Sequence, residues 1–134
     1  MPMIPPTKTH QGKKIRIIYV NGKPKPQPYE PAELQAVRTK LTAHLGQHVP
    51  PKKYTGATRL LVKWCFPNGK HPDGSYKTTK PDTDNLQKML KDVMTDLGYW
   101  TDDALVASEI IEKFWAKLPG IYVSIEDLEG DDDD

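Results

Sequence analysis

Residues 80–103 read KPDTDNLQKMLKDVMTDLGYWTDD, and the rest of the chain is arranged around them. Leu86, Met89, Leu90, Val93, Met94 and Leu97 recur at i, i+3, i+4, i+7, i+8 and i+11, one apolar stripe at helical period. Pro81 drives Lys80 into an extended conformation, so the helix starts after it. Asp82 then stands where it can accept hydrogen bonds from the open N–H groups of the first turn, and the helix dipole favours its charge. Gly98 follows the last apolar position, where a left-handed residue closes a helix. Carboxylates bracket this helix, Asp82 and Asp84 at its start, Asp102 and Asp103 just past its end. A carboxylate pair before a helix and another before a strand can converge on one point when the helix and the strand pack as neighbours. Clustered like charges call for a cation, and an oxygen-only set suits a hard ion such as Mg²⁺ or Mn²⁺.

Downstream, residues 104–116 (ALVASEIIEKFWA) predict a strand, bent near Ser108 and Glu109. Residues 117–120 (KLPG) predict a turn, and 121–125 a second strand that closes a hairpin. Alternation puts Glu109 on the same side as Asp103. Upstream, the loop 67–79 (PNGKHPDGSYKTT) feeds into the acidic stretch and makes a basic, polar approach to it through Lys70, His71, Lys77 and Lys80, with Tyr76 among them. Residues 58–66 (TRLLVKWCF) are close to continuously apolar and predict a strand in mid-sheet. Residues 30–48 predict the first helix, with a narrow stripe of Leu34, Val37, Leu41 and Leu45. Residues 13–20 (KKIRIIYV) predict the first strand. Asn21-Gly22 would begin a hairpin, but KPKPQPYEP cannot be a central strand, because each proline removes a ladder donor. It is expected to be an extended connection.

These elements make a small single α/β domain, a mixed four-stranded sheet packed by two main helices. Its 134 residues suit one modest core. Residues 1–12 are expected to be a flexible or strap-like lead, 13–128 the folded domain and 129–134 a disordered acidic tail. No window is apolar for long enough to span a bilayer and the first residues carry no signal-peptide pattern, so the expectation is a soluble intracellular protein with no membrane partner. A single cysteine, Cys65, excludes a disulfide framework within the chain. The net charge of +1 hides an asymmetry. Residues 126–134 carry 7 of the 18 acidic groups, leaving 11 against 19 basic and a charge of +8 on the body. A basic body suits a polyanion.

The run Asp82-x-Asp84-Asn85-Leu86-Gln87-Lys88, then Asp92, then Gly98-Tyr99-Trp100-x-Asp102-Asp103, resembles the signature of the RusA family of Holliday junction resolvases. The dense match covers residues 80–103, and the order of flanking strands extends it more weakly. The resemblance implies a Mg²⁺-dependent (Mn²⁺ substituting), homodimeric endodeoxyribonuclease that resolves four-way DNA junctions in recombination and repair, with a bacterial or phage origin. It assigns catalysis and metal binding to Asp82, Asp84 and Asp103, and an essential catalytic role to Lys88. Asn85, Asp92 and Asp102 are candidates to steady those groups by hydrogen bonds. Lys70, Lys77, Lys80 and Tyr76 are candidates to touch DNA. Two other readings stay open: a junction-binding protein without catalysis, and a nuclease for flaps or forks. An EF-hand calcium loop is excluded, because Leu86 and Gln87 stand where it needs an oxygen ligand and a glycine.

Overall fold

Strand β3 (Thr58–Pro67) sets the architecture. Its residues alternate without a break between buried (Thr58, Leu60, Val62, Trp64, Phe66) and half-exposed (Arg59, Leu61, Lys63, Cys65). One face of the sheet is therefore sealed by helices and the other is open. The computed structural model describes residues 1–9 and 14–129. In chain order the elements are β1 (Lys14–Val20), β2 (Lys23–Tyr29), α1 (Ala32–Leu45), β3, α2 (Thr83–Leu97), a 3₁₀ turn (Asp103–Leu105), β4 (Val106–Ala116) and β5 (Gly120–Asp127). β3 is the central strand of a three-stranded sheet ordered β4-β3-β5, parallel to β4 and antiparallel to β5. On the sealed face, Leu34, Leu41 and Leu45 of α1 and Leu86, Met89, Leu90, Val93 and Met94 of α2 join Leu60, Val62, Trp64, Phe66 and Ile121 in one core.

The α/β class and the two helices are as the sequence implies, but the strands divide differently. Instead of four strands in one sheet there are three, and β1 pairs with β2 in a separate two-stranded ribbon. The proline-rich run is thus a strand. Pro24, Pro26 and Pro28 are spaced by two, so their missing donors all lie on one edge, and the alternate residues Lys23, Lys25, Gln27 and Tyr29 are free to bond β1. The expected hairpin between β4 and β5 is also absent, since the two strands flank β3 on opposite sides. β3 ends at Pro67, level with Ala116 of β4, so residues 117–119 can cross over its end. At the other end of the chain, the Met1 ammonium donates to the Ile121 carbonyl (2.7 Å), and the Ile121 N–H donates back to Met1 O (3.0 Å), which lays the first residues along β5. The acidic tail lies outside the described residues except for Glu129.

α2 is held tightly at its closing end. Gly98 adopts φ 87°, the left-handed conformation expected of it, and its N–H reaches the carbonyls of the last turn. The Tyr99 hydroxyl donates to Leu45 O at the end of α1, and Trp100 Nε1 donates to Thr95 Oγ1 at 2.7 Å. Both rings are buried, so Trp100 is a packing residue.

Candidate active site

The start of α2 is built on extended backbone. Asp82 holds the N-cap position with φ −74° and ψ 149°, but its side chain makes no capping bond. Its carboxylate turns outward to Lys80 Nζ at 3.1 Å and is half exposed. The anticipated cap is therefore not made, and the carboxylate faces solvent. Asp84, in the first turn, is also exposed, and Asn85 is half-buried beside it. Lys88 is mostly exposed and reaches Asp92 at 4.0 Å, the next turn along rather than the previous one.

Beneath this end lies a residue that the sequence reading passed over. Lys113 of β4 donates from Nζ to Thr79 O (2.6 Å) and Pro81 O (2.7 Å), holding the segment that delivers Asp82. Desolvation lowers its pKa, Asp82 pulls it back up, and Lys80 pushes it down. Lys113 pairs with Trp64, so it shares the inward phase of β4 with Ile111 and Trp115. A lysine on the core-facing phase of a strand is the signal that could have found it.

The far end of α2 is different in kind. Asp103 lines a cleft of about 430 Å³ with Asp92, Thr95 and Asp96 of α2 and with Glu30 and Arg38. Arg38 is taken by Glu30, through Nε (3.2 Å) and Nη2 (3.0 Å). Asp102 Oδ1 accepts from Ala104 N at 2.9 Å and caps the 3₁₀ turn, which gives that carboxylate a structural task. Glu109 is engaged by Lys91 Nζ at 3.1 Å.

The two carboxylate groups do not converge within one chain. α2 has 15 residues, which span about 22 Å at 1.5 Å per residue. Strand geometry agrees. Asp82 sits beside Lys113, the 3₁₀ turn that opens at Asp103 leads into Val106, and the seven residues of strand from Val106 to Lys113 cover about 23 Å. The reason is topological. The chain leaves α2 through a tight turn and enters β4 going back, so the start of the helix and the start of the strand lie at opposite ends of the layer. Among the described residues, no three acidic, histidine or cysteine side chains form a group able to hold a metal ion.

Of the residues expected to approach DNA, Lys70 and Lys80 are exposed. Tyr76 is exposed too, stacked on Phe114 (4.9 Å between centroids) with its hydroxyl donating to Glu112 at 3.1 Å. That hydrogen bond raises its pKa. Lys77 is instead turned inward. Its Nζ lies 4.2 Å from the Trp115 ring centroid and 5.1 Å from that of Phe66, and it donates to Thr79 Oγ1 at 2.6 Å. Desolvation, and then repulsion from Lys113, lowers its pKa. It packs and braces the loop rather than presenting a charge to solvent.

Comparison with known proteins gives two findings. The family model described as Endodeoxyribonuclease RusA matches residues 4–126. An uncharacterized protein of Bacillus subtilis (strain 168), YqaN, is 30% identical over 111 residues, covering 74% of this chain and 78% of its own. No helix among the described residues is long and apolar enough to cross a membrane.

Proposed function

The chain belongs to the RusA family of endodeoxyribonucleases, and from that premise we propose how its separated carboxylates are put to work. The family makes it a Holliday junction resolving endonuclease, with junction DNA as substrate. We assign phosphodiester hydrolysis to Asp82, Asp84 and Asp103, with Lys88 at the scissile phosphate, and we take the protein to be a homodimer that shares these groups between copies. The setting proposed is recombination and repair in a bacterial cell or prophage.

The observation that carries this reading is the roughly 22 Å between the two ends of α2. A two-fold axis is isologous: if the start of one helix meets the end of the other, the reverse holds as well. Two copies with α2 antiparallel across such an axis would form two equal sites, each with Asp82 and Asp84 from one chain and Asp103 from the other. A four-way junction needs two symmetric cuts, one per site.

Within one chain the carboxylates do not gather around a cation, but the donor chemistry fits one. All three are oxygen ligands, Asp82 and Asp84 are exposed, and Asp82 makes no capping bond that it would have to give up. Mg²⁺ is the ion proposed, since it needs few protein carboxylates and keeps water and phosphate oxygens as its other ligands. When bound, such an ion supplies charge relief on the phosphoryl oxygens and an activated water. Lys88, mostly exposed and weakly paired, is available to steady developing negative charge.

The test is cleavage of a synthetic four-way junction in Mg²⁺, beside linear duplex and fork DNA, for wild type and Asp84→Asn. Paired symmetric nicks on the junction, lost with EDTA and lost in the variant while binding survives, are expected. Junction binding without cleavage in Mg²⁺ or Mn²⁺ would leave a binding module, and equal cutting of the fork would remove the junction preference.

A further inference from the structure

The β1–β2 ribbon lies outside the site just described, and it has two unlike faces. Cross-strand partners share a face in an antiparallel pair. Ile15, Ile17 and Tyr19 therefore lie with Pro28, Pro26 and Pro24 on one side, while Arg16, Ile18 and Val20 lie with Gln27, Lys25 and Lys23 on the other. Residues 14–29 include Lys14, Arg16, Lys23 and Lys25 and contain no acidic residue.

The ribbon therefore carries no counter-charge of its own for these cations. Some exposed cations elsewhere find counter-charges, as in Lys8–Glu33, Arg59–Glu126 and Lys80–Asp82, while Lys40 and Lys52, among the described residues, do not. Among the described residues Arg16, Lys23 and Lys25 have no ion pair. Arg16 is also aimed. Its Nε donates to Gln27 Oε1 at 2.8 Å, and its guanidinium lies 5.3 Å from the centroid of the Tyr29 ring. The arm itself is stiff. Three prolines fix φ along β2, and their missing N–H groups leave its outer edge unable to accept another strand. A partner must therefore meet β2 by a face rather than by strand addition, and the charge of the basic face matches phosphate.

We propose that the β1–β2 ribbon is a DNA-contacting arm whose basic face, through Arg16, Lys23 and Lys25, grips the phosphates of a duplex arm of the junction. This rests on the endonuclease reading and adds to it a contact surface outside the carboxylates. Two strands are narrow enough to lie along a major groove about 12 Å wide, and contacts to phosphate alone hold register without reading sequence.

The experiment is binding of a synthetic four-way junction in EDTA across a salt series, for wild type and the double variant Lys23→Ala/Lys25→Ala. Each lost phosphate contact should flatten the plot of log affinity against log salt by about 0.9. The double variant should therefore lose about two units of slope and about tenfold or more in affinity at moderate salt. Its sedimentation mass and its turnover at saturating junction in Mg²⁺ should not change. An equal-charge control, Lys40→Ala/Lys52→Ala, removes two exposed lysines elsewhere and should keep the wild-type slope. Unchanged binding by the ribbon variant overturns the arm, and so does an equal fall in the control. A change in sedimentation mass would identify the ribbon as a contact between copies instead. If wild type cuts the junction while any of these occurs, the endonuclease reading stands and the arm alone fails. If wild type neither binds nor cuts, both fail.

Discussion

The two ends of α2 carry the same residue type and face different surroundings. At its start, Asp82 and Asp84 stand exposed among lysines: Lys80 at 3.1 Å from Asp82, and Lys113 clamping the backbone beneath. At its end, Asp103 lines a cleft with Asp92 and Asp96, and the nearby Arg38 is already held by Glu30. One end has cations in reach of its carboxylates, and the other has an excess of carboxylates. In the proposed shared site each end would be one half, because acids alone would repel phosphate and lysines alone would bind it without a place for a metal ion. The difference teaches that neither end of α2 alone combines a carboxylate cluster with cations, which is what the proposed sharing between copies would supply.

The most severe way to break this comparison is to mix two dead variants. Asp84→Asn and Asp103→Asn each remove several kcal/mol of charge stabilisation, so each homodimer should lose about a thousandfold or more in junction cleavage. In a mixed dimer with shared sites, one site has lost both carboxylates and the other has kept both. Unfolding and refolding the two variants together should restore nicking to about a quarter of wild type, with half the dimers carrying one intact site. A mixture as inactive as its parents would mean that each site lies within one chain.

Next in size is the middle of the helix, which fixes the spacing between its ends. Leu90 is fully buried, midway between the two carboxylate groups. Leu90→Ala should cost about 2–5 kcal/mol in urea unfolding, from lost burial and the cavity left behind. Asp96→Ala, at the exposed closing turn, should stay within about 0.5 kcal/mol. Similar values for the two would mean that α2 is not seated as its apolar stripe requires.

Much of this was legible in residues 80–103. The stripe from Leu86 to Leu97, the stop at Gly98 and the strand beginning near Val106 follow from periodicity and backbone preference, which are local. The catalytic candidates were legible only as a signature. Where the carboxylates sit was not, because convergence depends on direction: a helix that turns directly into a neighbouring strand puts the two starting points at opposite ends. The same limit explains β5. Nothing in KLPG distinguishes a hairpin from a crossing over the end of β3, since that choice rests on where β3 stops. The ribbon was missed for a different reason. Proline was read as a breaker of strands, whereas prolines spaced by two leave one edge intact. Lys113 was hidden inside an apolar run, although its phase in the strand placed it inward.

Lys113 sharpens the picture of the lysine-rich end. Its ammonium bonds two backbone carbonyls and no carboxylate, so its task is to position the segment that carries Asp82. Lys113→Met should lower turnover by up to about a hundredfold, the scale of a misplacement near 1 Å. Junction affinity should hold, and Lys113→Arg should recover part of the loss. A fall in affinity with turnover intact would make Lys113 a DNA contact and not a positioning residue.

The smallest expected effect separates two neighbours. Asp102 and Asp103 are adjacent and chemically identical, yet among the described residues only the Asp102 carboxylate of the two has a backbone partner, the N–H of Ala104 at 2.9 Å. That bond satisfies an open donor at the start of the 3₁₀ turn, which then sets the direction of Asp103. Asp102→Ala should cost about 0.5–2 kcal/mol in urea unfolding, as the loss of a cap does. Asn caps nearly as well as Asp, so Asp102→Asn should keep both stability and cleavage. The same exchange one residue later should abolish cleavage and leave stability unchanged. If Asp102→Asn instead abolished cleavage in a protein as stable as wild type, the carboxylate at the acid-rich end would be Asp102, and the capping bond would have to be released when DNA and the second copy are in place.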